Sequence, residues 1–426
     1  MATISCMRPC VARADGSLEV LDGVQPLARS GTRLLSPSLD DLSPIPAETT
    51  LMHLPGRAAQ VMDAAGRVVA PAGFLTVAAV LPVGYLRTLL PAGEPAPERR
   101  RLPLFGYTAV VEHRGELMTA ASRTDAFSWW ESESRKTGDV AAAVEQALAA
   151  MPRNRLVGHL AVCALEHRCY TAQNTFLRRY EAALPASPAC NADCLGCISL
   201  QSDGEAPSPQ PRIRFAPTTA ELVEVASYHL QSDETAIVSF GQGCEGEPLT
   251  RAPALIAATR EIRRRHPRAT IHVNTNGSKP AVLERLIEAG CNSVRISAIS
   301  FTEKVFRAYY RPVGYTLDDV VECGRVMSRA GGQVCLNLLT FPGVTDAPAE
   351  IERTIAACTT MAVRQIQWRS LNVDHDWLID VLGARGVLMD DGIGLANMLA
   401  AMRERLPEVV HGNFTRPVVQ PLGAAV

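Results

Sequence analysis

Between residues 236 and 371 one rhythm repeats: a short apolar run, a polar turn, then a longer amphipathic stretch. The runs at 236–240, 270–275, 293–298, 333–338 and 364–371 read as strands. The stretches at 252–266, 280–289, 317–330 and 348–361 read as helices, with Gly290 and Gly331-Gly332 as stops. Strands this short and this continuously apolar are buried on both faces, as parallel strands are beneath crossover helices. One further strand just before Cys190 brings the total to about six βα units. The expected fold is therefore α/β, a partial (βα)6 TIM-like barrel. Ligands in such folds bind at the carboxyl ends of the strands. Polar residues gather at those ends here: Glu247, Asn276, Ser297, Asn337 and Arg369.

At 426 residues the chain is too long for one ordinary core. Residues 1–150 lack the rhythm and read as a β-rich amino-terminal domain, with strands at 73–80 and 104–111. A turn at Glu112-His113-Arg114-Gly115 leads from the second of these into another strand at 116–121. Residues 151–184 read as a helical linker, 185–375 as the barrel, and 376–426 as a helical carboxyl-terminal extension with a helix at 392–406. Hydrophobic residues make up 47% and the formal net charge is −2, which gives no bulk electrostatic case for nucleic-acid binding. The most apolar window, 73–86, is too short to span a membrane and is broken by Pro82. The start has no basic segment followed by an apolar run, so no signal peptide is expected. Twelve cysteines without an export signal suggest a cytoplasmic protein whose thiols bind metal.

Three of those cysteines lie within eight residues, Cys190-Asn-Ala-Asp-Cys194-Leu-Gly-Cys197. Three thiolates at this spacing suit three corners of an iron–sulfur cube and leave the fourth iron without a protein ligand. The alternatives are a structural zinc, for which no fourth ligand is evident nearby, or free thiols. One βα unit later comes Gly243-Cys244-Glu245-Gly246-Glu247-Pro248, and Asn276-Gly277 follows the next strand.

In these features the chain resembles the radical S-adenosylmethionine (SAM) superfamily. The resemblance rests on the CxxxCxxC of Cys190, Cys194 and Cys197 and on a turn similar to the family's GGEP. Asn276, Ser297 and Asn337 stand at usual SAM-facing positions. It covers roughly residues 185–371. It implies a 4Fe–4S cluster on the three cysteines, with SAM chelating the open iron. One-electron cleavage of SAM would then give a 5′-deoxyadenosyl radical that abstracts hydrogen from a substrate, either a small molecule or a protein. The cofactor-facing residues it implies are Glu245, Gly246, Glu247, Asn276, Ser297, Asn337 and Arg369. It also implies a one-electron donor such as a flavodoxin or ferredoxin. Two positions depart from the pattern: Gly196 stands where an aromatic residue is common, and Glu245 replaces the first glycine of GGEP. A non-catalytic iron–sulfur electron-transfer or binding protein is the rival reading.

Each residue also has a plainer explanation. Glu247 suits a helix start, Asn276-Gly277 a turn, Ser297 and Asn337 each a satisfied core polar group, and Arg369 an internal ion pair. His159, Cys163 and His167 recur every four residues, and Cys169 follows. They form either a second metal site, which Cys6 and Cys10 could join, or a buried cysteine with two surface histidines. Cys244 is the other cysteine placed near the cluster. Trp129-Trp130 reads as packing, and the arginine runs 99–101 and 263–265 read as solvated faces.

Overall fold

A computed structural model describes residues 7–125, 138–233, 235–389 and 392–418. Cys6 and Trp129-Trp130 lie outside the described residues.

The amino-terminal part is mainly β, with one short helical turn at Leu39–Asp41. Its main sheet is antiparallel, built on β1 (Met7–Ala12), β2 (Thr50–Ala59), β3 (Leu75–Val80), β4 (Tyr107–His113) and β5 (Glu116–Thr119). β4 and β5 form the expected hairpin, with His113 opposite Glu116. Arg114 and Gly115 make its two-residue turn, both at positive φ, 54° and 90°. That geometry matches the right-handed twist of the flanking strands.

Residues 138–184 are not uniformly helical. Three helices, α1 (Val140–Ala150), α2 (Arg155–Leu165) and α3 (Tyr170–Leu177), are followed by a strand, β6 (Glu181–Leu184). β6 is fully buried and opens the parallel sheet. The sheet continues through β7 (Ile237–Phe240), β8 (Thr270–Thr275), β9 (Ser293–Ala298), β10 (Gln333–Thr340) and β11 (Gln365–Ser370). Helices cover it: α4 (Thr219–Leu230), α5 (Ala252–Arg265), α6 (Pro280–Glu288), α7 (Glu303–Tyr310), α8 (Leu317–Arg329) and α9 (Pro348–Thr360). The expected strands and helices agree with these to within a few residues. α4 and α7 are additions, the first hidden in the long stretch after Cys197 and the second between β9 and α8.

The carboxyl-terminal segment supplies α10 (His375–Ala384), α11 (Leu395–Arg405) and one more strand, β12 (Val410–Gly412). β12 pairs parallel with β11, so the extension expected to be helical also adds a seventh strand. The seven strands stand in chain order, the first and last unpaired with each other, as an open barrel requires.

The two parts are locked together at the last strands. Arg57, buried to 1% exposure, donates to Asp374 at 2.6 Å and to Asp376 at 3.2 Å, and Arg29 reaches Asp376 at 2.6 Å. Arg101 is not a solvated charge. Its guanidinium lies 3.7 Å over Trp377, pairs with Asp203 and bonds Gln201, just beyond the cysteine loop. Arg99 pairs with Asp380. In the other run Arg263 bonds the Gly290 carbonyl, while Arg264 and Arg265 sit on exposed Glu261 pairs as expected.

Candidate cluster and cofactor site

The cysteine loop follows β6 and is strapped to the end of α7. The last carbonyls of a helix lack partners within it. Here they accept from the loop: Asp193 N–H donates to Tyr310 O at 3.1 Å and Leu195 N–H to Tyr309 O at 3.0 Å. Arg311, the left-handed residue that ends the helix, bonds the Asp193 carbonyl at 2.5 Å and its carboxylate at 3.0 Å. Val313 N–H closes the strap on Asn191 O at 2.9 Å. The role of Tyr309 and Tyr310 in holding the loop was missed in the sequence. Their signal was the apolar spacing of Val305, Phe306, Tyr309 and Tyr310, which marks an amphipathic helix.

Tyr309 also accounts for Gly196. A side chain there would meet the Tyr309 hydroxyl at 2.8 Å and Leu371 at 3.2 Å, so the space beside the third cysteine is already filled.

The turn after β7 crosses the approach to Cys190 at close range. Gly246 N–H donates to Ser187 O at 2.7 Å and Glu247 N–H to Ala189 O at 2.8 Å. A Cβ at position 246 would lie 2.0 Å from the Ala189 carbonyl oxygen, so only glycine permits the crossing.

Glu245 has a different place from the one expected. Its carboxylate is buried and accepts four backbone hydrogen bonds, from Ala186 (2.8 Å), Ser187 (2.9 Å), Gly241 (2.7 Å) and Gln242 (2.7 Å). Four donors fill the acceptor sites of a carboxylate, leaving none for a ligand. Burial pushes its pKa up to about 8 against the pull of these donors. Glu245 is a brace that binds the cysteine approach to the turn. The glycine it replaces could not do this.

Glu247 is also turned inward. Its oxygens accept from Leu249 N–H (3.0 Å), the Thr275 hydroxyl (2.6 Å) and Asn276 N–H (2.8 Å), and burial pushes its pKa up to about 7. It caps the following helical turn, as the plainer reading expected, and fastens that turn to the end of β8. Asn276 extends the link to the loop, its amide donating to Asn191 Oδ1 at 2.9 Å. Ser297 and Asn337 sit opposite each other on β9 and β10, half-buried and joined at 3.2 Å. Arg369 stands apart. It is held by Asn413, Nη1 at 3.1 Å from the side chain and Nη2 at 2.5 Å from the carbonyl, and burial lowers its pKa to about 10. Its partner is a neutral residue of the carboxyl-terminal segment, not the ion pair considered from sequence.

The three thiols fit a cube better than a single ion. Among the described residues, the His, Cys, Asp and Glu group whose ligand atoms all lie within 4.8 Å of one another is elsewhere, so the loop thiols are set wider than that. They are near enough for the charge of Cys197 to oppose ionisation of Cys190, and for Cys190 and Cys197 to oppose that of Cys194. Burial is the larger cause that raises Cys190 and Cys194, and bound iron would reverse it. Among the described residues the buried Tyr310 and Tyr315 hydroxyls have no hydrogen-bond partner, and both feel the charge of Cys194. A polar occupant beside the thiols would satisfy them. Arg212 Nη2 lies 3.6 Å from Cys197 Sγ, and Ser199 Oγ lies 3.4 Å from it.

Residues 184–355 match the family model of the radical SAM superfamily. No curated protein matches the chain. Among solved structures it is similar to methylornithine synthase (PylB), at 13% identity and a TM-score of 0.38 over 63% of this chain and 77% of that one. It is similar to the FeFe-hydrogenase maturase HydG from Carboxydothermus hydrogenoformans, at 14% and 0.34 over 68% and 81%. It also resembles Streptococcus suis SuiB bound to the precursor peptide SuiA, at 14% and 0.33 over 51% of this chain and 44% of that one. Likenesses this remote establish neither substrate nor partner. Members of the matched superfamily bind a 4Fe–4S cluster and SAM. Residues 184–355 therefore form a radical SAM domain.

Proposed function

We propose that the protein reductively cleaves SAM at a 4Fe–4S cluster held by Cys190, Cys194 and Cys197, and turns the 5′-deoxyadenosyl radical on a small-molecule or protein substrate. The observation that carries this reading is the wide, half-buried thiol trio strapped against the Gly246-Glu247 turn. When bound, the cluster supplies the single electron that breaks the sulfonium C–S bond.

The chain's own residues have distinct tasks in this reading. Gly246 lets the turn backbone approach the loop, and Glu245 and Glu247 hold it there. Asn276 ties the end of β8 to Asn191, between the first two cysteines. Ser297 and Asn337 offer a hydroxyl and an amide to ribose hydroxyls. The Tyr310 and Tyr315 hydroxyls are placed to bond a polar occupant beside the thiols. The amino-terminal sheet, clamped through Arg57 and Arg101, covers one side of the barrel and restricts water. A one-electron carrier protein such as a flavodoxin or ferredoxin supplies reducing equivalents.

The test is direct. Anaerobically reconstituted protein given dithionite and SAM should release 5′-deoxyadenosine. An intact cluster with no 5′-deoxyadenosine, and no heat of SAM binding by calorimetry, would instead identify a non-catalytic iron–sulfur carrier.

A further inference from the structure

His159 and Cys163 lie one turn apart on α2, so their side chains share a face. Cys244 comes from the turn after β7, distant in sequence. The structure brings the three together: one ligand atom from each lies within 4.8 Å of the others. His159 Nε2 is 3.7 Å from Cys163 Sγ. Both cysteines are buried, at 3% and 5% exposure, and the imidazole stands at 90° to the Phe215 ring, which limits its rotation. Cys169 is the next donor. It caps α3, and its N–H donates to the Cys163 carbonyl at 2.9 Å, which holds it beside the trio.

A buried cysteine usually acts as a small hydrophobe with a raised thiol pKa. Cys291 and Cys358 behave this way, pushed up to about 12 by burial. Cys163 and Cys244 are not lone sulfurs: one ligand atom from each, and one from His159, lie within 4.8 Å of one another. Packing alone explains a lone buried sulfur. It does not explain an imidazole and two sulfurs converging from two elements.

We propose that His159, Cys163 and Cys244, with Cys169 as fourth ligand, form a closed site for one Zn2+-class cation that pins α2 to the turn bearing Glu245 and Glu247. Thiolate and imidazole donors select soft or borderline cations over Mg2+ or Ca2+. The close spacing suits one ion and not a cube. The three cysteines ligate as thiolates, so cation binding releases the protons they still carry. The site acts at a distance: Cys244 adjoins Glu245, whose carboxylate holds the approach to Cys190. This assignment does not depend on the reaction proposed above.

The experiment uses full-length, cluster-reconstituted protein, loaded with Zn2+ alone or Co2+ alone under reducing conditions. Plasma mass spectrometry should find about one zinc per chain beside the cluster iron. Co2+ should give intense tetrahedral d–d bands and a thiolate charge-transfer band. Cys163→Ala and His159→Gln should each weaken Zn2+ binding at least tenfold while iron content stays unchanged, and Cys169→Ala should weaken it less. His159 is half-buried at the helix surface, so His159→Gln keeps the test decisive where Cys163→Ala fails to fold. Undiminished zinc in these variants would overturn the proposal. So would wild-type protein that binds no zinc, including protein in which peptide mapping finds a Cys163–Cys244 disulfide.

Discussion

Cys190, Cys194 and Cys197 come from one short loop, whereas His159, Cys163 and Cys244 come from a helix and a turn that meet only once β6 and β7 are paired. The first trio is half-buried and widely set, on a loop held by carbonyls at the end of α7. In the second, both sulfurs are buried and the ligand atoms are close together. One arrangement leaves room for a multi-atom guest and access for a ligand. The other has the spacing to suit a single ion. Thiol chemistry in this chain is therefore sorted by spacing and burial, and Glu245 links the two regions.

The largest effect should come from Cys194→Ala, which should abolish iron–sulfur absorption in the reconstituted protein while Zn2+ binding persists. Cys163→Ala should do the reverse. Loss of iron from both variants would show that the two trios act as one unit and would break the contrast.

Glu245→Gln should come next. An amide cannot accept from all four backbone donors, and its NH2 must face two of the N–H groups. Buried donors left without acceptors should cost about 2–4 kcal/mol. The urea midpoint of the unfolding transition should fall accordingly, and both metal sites should weaken together. An unchanged midpoint would remove Glu245 as their link.

The smallest effect is expected from mild acid, which acts on the scaffold beneath both trios. His272 lies inside the sheet on β8, between Ser293 at 2.7 Å and Asn274 Oδ1 at 3.0 Å. His229 lies on α4, which packs against the helix that carries His159. Burial lowers each pKa to about 4. A depressed imidazole pKa means that the unfolded chain takes up the proton first. Stability is then complete above about pH 6.5 and is lost as the pH falls toward 4. Going from pH 7.5 to 6 should cost about 1 kcal/mol per histidine, read as a lower Tm. His272→Asn should flatten part of that slope. A Tm indifferent to this pH range would exclude the buried histidines as a shared weakness.

Much of the barrel was legible because parallel strands and crossover helices impose different hydrophobic periods on short windows. The strands at 270–275 and 293–298 match β8 and β9 residue for residue. The strand expected just before Cys190 is β6, which lies earlier, inside the stretch read as helix, because four buried residues carry no period. β12 was hidden because a three-residue edge strand is defined by its partner and not by its own side chains. The cysteine loop and its following turn were legible as a local motif. Whether Glu245 faces a ligand or a backbone depends on which way a buried side chain turns, and no spacing rule encodes that. Arg101 read as a surface charge because its partners, Trp377 and Asp203, lie far away in sequence.

By itself the sequence determined what is local: the βα rhythm, the thiol trio at 190–197 and the glycine at 246. These follow from backbone geometry and from ligand spacing within a few residues. Only the tertiary structure decided that Tyr309 occupies the space beside Gly196, that Glu245 is a brace, and that His159 and Cys163 meet Cys244. Each of these depends on segments far apart in the chain being brought within a few ångströms, which happens only when the sheet closes around a shared core.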